Sequence, residues 1–490
     1  MTDATVVIGS GANELVAAHY LARSGQRVVV IGQNTIDDED ASLDSGWIPP
    51  RIVRDLDFRT EGAAALRVHR PDPWMVAALP DGGRLELWND VARSAESIRR
   101  LSPRDADRWP VFCARVARLA RVLEKLYDAP PPDIMARDSA QLMRLAALAF
   151  GIRRMGRESV EDLLRVLPMP VADLLDDWFE CDALKGVLGA AGIMDLCHGP
   201  RSGGTAFRLL HHHVGSAPGV FRPPVSNVRQ VLRAKPGVEL RRDAVARIAV
   251  REGRVAAVVL ASGAEIATSR VICGADPRHA LLEWLDPGWL DPDFTRAVSH
   301  IRARGVAARL SLVLDRPAVF QVLCIAPSVD YLERAYDDVK YGRISRHPYL
   351  EARAKKVNDD AVVDVRIQYA PYELSEGAWD DSRRRSLGED ALKMLAQVVP
   401  DLQHSVKHWS VITPRDFEAR FGFPEGQPHH AELALDQALW LRPVPGWASY
   451  RTPIPGLYLC GPATHPGGAI AGAAGANAAR VVLADLRRGA

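Results

Sequence analysis

The sequence predicts an α/β protein: a parallel-sheet domain built from separate stretches of chain, with an α+β domain inserted into it. Three observations predict this. Residues 1–31 read strand, glycine turn, helix, strand; residues 456–490 read strand, glycine-rich loop, helix; and the long stretch between them passes from helical periodicity to period-two strands.

Each element has a local reason. Ala-Thr-Val-Val-Ile-Gly at 4–9 is a short β-branched run ending in glycine, which suits a strand buried on both faces. In 13–24 Leu15, Ala18, Leu21 and Ala22 share one helical face, and Gly25 is a helix stop. Arg-Val-Val-Val-Ile at 27–31 completes a βαβ unit. Residues 76–220 are mostly helical in pattern, broken by a proline loop at Pro130–Pro132. Residues 238–272 alternate as strands, with Gly253 and Ser262-Gly263 as turns. Strands are expected at 305–315 and 361–370 and a helix at 382–399. The resulting division gives 1–75, 222–285 and 420–490 to the parallel-sheet domain, and 76–221 and 286–419 to the inserted domain.

Composition removes several function classes. Lys plus Arg (62) and Asp plus Glu (61) leave a net charge of +1, so no overall positive field exists to neutralise a nucleic acid. The six cysteines, at 113, 181, 197, 273, 324 and 460, form no CxxC motif and suit a reduced compartment. With no basic-then-apolar leader and no apolar run of about 18 residues, a cytoplasmic protein is expected. Arg118, Arg121, Arg144, Arg153, Arg154 and Arg157 in the helical insert suit a solvated face or a peripheral membrane contact.

Gly9-Ser10-Gly11-Ala12-Asn13-Glu14 follows a strand and opens a helix, the context of a dinucleotide-binding turn. Its glycines permit the tight turn and let backbone approach a pyrophosphate at the helix N-terminus. Two positions depart from that pattern. Glu14 stands where a third glycine allows close packing, and Gly32 stands where an acid bonds the ribose. Asp37, Asp38 and Glu39 either substitute for that acid or form a solvated loop. Other constellations carry less. Consecutive His211, His212 and His213 on a helix point about 100° apart, which fits a polar or core-edge face better than a metal site. His429-His430 reads as a loop feature, and Cys197-His198 as no catalytic pair. Neither a Gly-x-Ser-x-Gly elbow nor a P-loop is present.

The C-terminal region makes a resemblance specific. Gly456-Leu457-Tyr458-Leu459-Cys460-Gly461, Thr464-His465-Pro466-Gly467-Gly468, Gly472 and Gly475-Ala476-Asn477-Ala478-Ala479 resemble the phytoene desaturase-like flavoproteins. The closer likeness is to the branch of pyridine nucleotide-disulfide oxidoreductase domain-containing proteins. It extends to Thr413–Glu418, His429-His430, Asp436-Gln437, Arg442-Pro443, Gly203–Ala206 and Ala275–Pro277. The resemblance implies a discontinuous Rossmann-like FAD-binding domain with an inserted α+β substrate domain. It places Gly9, Ser10, Gly11 and Asn13 on the ADP part of FAD and Val245 against the adenine. It places Gly461, His465, Gly467, Gly468, Gly472 and Asn477 beside the flavin ring and ribityl chain. Glycines there remove side chains where a planar ring lies close to backbone, and His465 either exchanges a proton or shapes the loop.

The implied activity is two-electron oxidation, of dehydrogenase or desaturase type, of an apolar or partly apolar small molecule. Besides Glu14 and Gly32, the chain lacks the family's Gly-Gly pair after the second strand. It also reads Phe221-Arg222-Pro223-Pro224 where the family has Gly-Gly-Met-Gly before a helix. These departures support an alternative: a degenerate, non-redox member serving as a binding or scaffold subunit, as a homo-oligomer or beside a paralogue.

Overall fold

The computed structural model describes residues 4–32, 46–59, 65–132, 139–154, 156–357 and 360–488. Asp37, Asp38 and Glu39 lie outside the described residues.

Five short strands form a wholly parallel sheet in the order Leu457–Leu459, Val271–Cys273, Thr5–Ile8, Val28–Ile31, Glu239–Arg241. Period two decides which face each side chain serves. Val7, Val28, Val30 and Ile272 point into a cluster with Leu15, Leu21, Ala478 and Val482, from helices Ala12–Arg23 and Ala473–Arg488. Their neighbours Val6, Val29, Ile31 and Val271 point the other way, toward Ile248, Val258 and Phe294. Apolar runs without alternation are what a sheet covered on both faces requires. The antiparallel meander Val245–Arg251, Arg254–Leu260, Glu265–Ala267 supplies part of the second cover.

The second sheet has seven strands, ordered Val406–Ile412, Ala307–Leu314, Asp360–Gln368, Tyr349–Val357, Val322–Ile325, Met75–Ala78, Arg84–Leu87. One face is apolar: Leu310, Leu312, Leu350, Val363 and Val365 pack on Leu387, Ala391 and Leu395 of helix Asp381–Val398. The opposite face is polar yet buried, carrying Arg309, Glu351, Arg353, Asp364 and Arg366. Register pairs these across strands, with Arg353 opposite Asp364 and Glu351 opposite Arg366.

Residues 76–220 open with strands Met75–Ala78 and Arg84–Leu87 before turning helical. A four-residue strand on each side of an Asp-Gly-Gly turn is too short to show a period, so the helical periodicity that follows dominates the pattern. The helical layer buries Trp109, Phe112, Phe179 and Phe221 as one aromatic cluster. It also decides between the two readings of the three histidines. His211, His212 and His213 are each 1% exposed, on the core side rather than on a polar face. Each ring satisfies a backbone carbonyl: Gly468 at 2.7 Å, Ala191 at 2.8 Å and Val220 at 2.7 Å. No group of three metal-ligating side chains occurs among the described residues, and no described helix is long and apolar enough to cross a membrane.

Candidate functional site

The carboxyl ends of Thr5–Ile8 and Val271–Cys273 open into a cavity of about 1860 Å³. Strand order reverses there. Val28–Ile31 continues the sheet on one side of Thr5–Ile8, and Leu457–Leu459 ends it beyond Val271–Cys273. Such a switch point is where parallel α/β sheets receive ligands. From Gly9–Glu14 the cavity passes Gly274–Asp276 and Pro462 and reaches the polar sheet face at Arg309, Arg353, Lys355 and Asp364.

At the near end Gly9 has φ 107°, a conformation open to glycine, and its N–H bonds Ile31 O at 2.8 Å. Helix Ala12–Arg23 starts from Gly11 as N-cap, which makes Glu14 its third residue. Glu14 is 5% exposed and folds back over the turn. A Cβ on Gly9 would sit 2.9 Å from its Cγ, one on Gly11 2.5 Å from its Oε2, and one on Gly274 would overlap its carboxyl. Burial pushes this carboxyl up to about 7, opposed by backbone hydrogen bonds at Glu14 and Gly11 and by the Arg229 charge. From helix Val228–Ala234, Arg229 donates to Ser10 O at 3.1 Å and Arg233 to Ser10 Oγ at 2.9 Å. Gly32 also has a local cause, since a Cβ there would lie 2.8 Å from the Ser10 side chain.

Gly9, Ser10, Gly11, Asn13 and Val245 therefore line one cavity wall. The other six residues singled out lie behind the wall. The space a side chain would take at Gly467 is filled by Leu433, at Gly468 by the His429 ring, at Gly472 by Val16, and at Gly461 by the Gly274 backbone. His465 is 1% exposed and donates to Leu126 O at 3.0 Å; burial pushes its pKa down to about 4. Asn477 Nδ2 donates to Tyr127 O and Tyr450 OH, both at 3.1 Å. Of this stretch, Pro462 reaches the cavity.

Two features were missed in the sequence. The first is the charged sheet face. Arg222 grips Glu351 with both guanidinium nitrogens, one contact being 2.7 Å, and Ser311 Oγ bonds Asp364 at 2.7 Å. Buried charges persist only when paired in this way. The strand sequence Val363-Asp-Val-Arg-Ile-Gln368 does alternate, but alternation is read as apolar inside and polar in solvent. The second is His430, which lines the cavity beside Pro428 and whose Nδ1 has no hydrogen-bond partner. Burial, then the charges of His429 and Arg442, pushes its pKa down to about 3, so its ring is neutral. Its neighbour His429 faces Asp195, 3.6 Å away, and Arg208, 3.1 Å away.

The near end suits an elongated anionic dinucleotide. A glycine turn opens a 12-residue helix, Arg229, Arg233, Arg241 and Arg242 line the cavity around it, and the buried Asn13 Oδ1 lacks a partner there. Glu14, buried in the turn itself, is a group whose charge opposes a phosphate there.

Comparison with known proteins agrees with this assignment. The family model described as flavin containing amine oxidoreductase matches residues 156–483. Pyridine nucleotide-disulfide oxidoreductase domain-containing protein 2 of Rattus norvegicus is 30% identical, over 98% of this chain and 93% of its own. The neurosporene-forming phytoene desaturase of Cereibacter sphaeroides is 24% identical, over 98% and 94%. An oxidoreductase from Methanosarcina mazei shares the fold, with a TM-score of 0.57 at 14% identity over 98% of this chain and 99% of that one. The charged cavity, the glycine turn at its mouth and these likenesses converge: the chain belongs to the flavin-containing amine oxidoreductases and is an FAD-dependent oxidoreductase.

Proposed function

We propose that the protein dehydrogenates or desaturates a partly apolar small molecule that carries an anionic group. The observation behind this reading is the unbroken cavity from the glycine turn to the polar sheet face, where Arg309, Arg353 and Lys355 gather. Bound FAD supplies the two-electron acceptor. Lys355 and the paired arginines hold the anionic end of the substrate and fix its orientation. Neutral His430 is a cavity group whose Nδ1 is placed to hydrogen-bond the substrate. The Lys355 charge at this end opposes a protonated amine. The phytoene desaturase relative supports an apolar remainder.

The test is anaerobic mixing of the FAD-loaded protein with amphipathic carboxylates, hydrocarbons and primary amines, following loss of the oxidised-flavin absorbance. Carboxylates are expected to bleach it, and bleaching by amines alone would overturn the reading. Lys355 is exposed, so Lys355→Met is expected to fold normally and to raise KM about tenfold, the equivalent of about 1.4 kcal/mol.

The helix Ser139–Arg153 supports peripheral membrane contact. Leu142 (51%), Met143 (68%) and Phe150 (61%) are exposed on it, with Arg153 and Arg154 at its end. An apolar surface beside cations suits an anionic lipid interface. Phe150→Ser is expected to reduce sedimentation with anionic vesicles without lowering the melting temperature.

A further inference from the structure

Glu14 occupies a place with two claimants. Its carboxyl lies in the space left by Gly9, Gly11 and Gly274, at the switch point of the parallel sheet and in the wall of the FAD cavity. A glutamate at the third position of a helix reaches back to the N–H of the N-cap residue. Here that residue is Gly11, and a backbone hydrogen bond at Gly11 acts on the carboxyl. Amides at the start of such a helix are also the donors that a glycine turn offers to a pyrophosphate. The protein thus carries an internal anion where the cofactor brings an external one.

Two anionic groups sharing one small, water-poor site do not both stay ionised. The pyrophosphate of FAD is a diester and keeps its charges throughout the neutral range, so the proton goes to the carboxyl. The groups around it are weaker claimants to that proton. Arg229 and Arg233 on Val228–Ala234 are cations held to Ser10. Cys273 and Cys460, which feel the Glu14 charge, are thiols pushed up by burial and are neutral. Asp276, raised by burial, is held by Arg278 at 3.4 Å.

We infer that Glu14 takes up a proton when FAD binds, so that FAD affinity weakens as pH rises through neutrality. The inference rests on FAD as the cofactor and concerns its binding, whatever substrate is oxidised. The balance is one proton from solvent onto a Glu14 carboxylate oxygen, with no bond to FAD formed or broken. Because burial places the carboxyl near neutrality, the linkage falls within the physiological range.

The experiment is FAD titration of the apoprotein from pH 6 to pH 9, read by flavin fluorescence, for wild type, Glu14→Gln and Glu14→Gly. Calorimetry in two buffers of different ionisation enthalpy counts the protons. For wild type Kd is expected to be flat below about pH 7 and to rise about tenfold per pH unit above it, with about one proton taken up at pH 8. Glu14→Gln, nearly the same shape, is expected to show no slope, no proton uptake and about tenfold tighter binding at pH 8. Glu14→Gly should behave likewise. A flat wild-type profile, or an equal slope in Glu14→Gln, would overturn the role of Glu14 and leave FAD as cofactor intact. Absence of FAD binding by all three proteins at every pH would overturn the inference together with the cofactor.

Discussion

Two glycine-rich turns meet the parallel sheet, and they use their glycines differently. In the N-terminal turn, Gly9 and Gly11 border a cavity, and the missing side chains make room for one flexible group, the Glu14 carboxyl. In the C-terminal stretch from Gly461 to Gly475, the missing side chains make room for fixed protein. The Gly274 backbone lies against Gly461, the His429 ring against Gly468, and the Asn13 carbonyl against Gly475. A glycine in a sequence announces close approach but does not name what approaches. The N-terminal turn borders the cavity, whereas the C-terminal stretch is packing behind it, with Gly475 letting helix Ala473–Arg488 lie on the first turn of Ala12–Arg23.

The largest expected effect separates them directly. Gly475→Ala puts a Cβ onto the Asn13 carbonyl oxygen, and Gly461→Ala puts one onto the Gly274 carbonyl oxygen. Backbone cannot swing aside as a side chain can, so each is expected to cost about 3 kcal/mol or more and to lower the melting temperature sharply. Melting temperatures near wild type would show that the C-terminal stretch is as pliable as the N-terminal turn.

Stability against pH sharpens the contrast, because each turn buries one titratable group with opposite consequence. Glu14 rises from 4.5 to about 7 on folding, so the folded apoprotein holds its proton more tightly than the unfolded chain. The penalty is absent below pH 4.5, grows through the window up to 7 and is complete above it, at about 3 kcal/mol. His465 falls from 6.5 to about 4, so its penalty is absent above pH 6.5, grows as pH falls and is complete below 4, again about 3 kcal/mol. Between pH 4.5 and 6.5 the two slopes oppose each other. Denaturant unfolding of wild type minus Glu14→Gln should show stability falling with pH there, and wild type minus His465→Gln should show it rising. Parallel difference curves would mean that one of the two groups is solvated.

What the sequence made legible follows from how local the physics is. The βαβ start was readable because Val6–Ile8 and Val28–Ile31 are continuous apolar runs and Leu15, Ala18 and Leu21 repeat at helical spacing. Two strands of the seven-stranded sheet were readable. Strands Ala307–Leu314 and Asp360–Gln368 match the expected ones, but no strand is expected from the sequence at Tyr349–Val357, with Glu351, Arg353 and Lys355 on alternate positions. Glu351 and Arg353 on it are buried because partners arrive from far away, Arg222 reaching Glu351 across 129 positions. No local pattern carries such a pairing. The cavity's near end was legible for the same reason in reverse: Gly9 to Glu14 is six consecutive residues. Glu14 was recognised as a departure, but its burial against Gly274, far along the chain, needed the fold.

The smallest effect tests the claim that the N-terminal glycines serve Glu14. Gly11 has φ −75°, a conformation open to any residue, so an alanine there meets no backbone strain. Among the described residues its only close neighbours would be the Oε2 and Cδ atoms of Glu14, at 2.5 and 3.6 Å. Gly11→Ala should therefore cost about 1–2 kcal/mol in wild type by crowding the carboxyl out of its place. In a Glu14→Ala background the same change should be close to neutral, because nothing remains to crowd. A double-mutant cycle isolates that coupling, expected at about 1–2 kcal/mol and well above the scatter for independent sites. Zero coupling would mean that Gly11 is required by something other than Glu14, and the N-terminal turn would then resemble the C-terminal stretch, with glycine demanded by backbone. Coupling of the expected size would instead tie the Gly11 position to the very carboxyl whose protonation is inferred to accompany FAD.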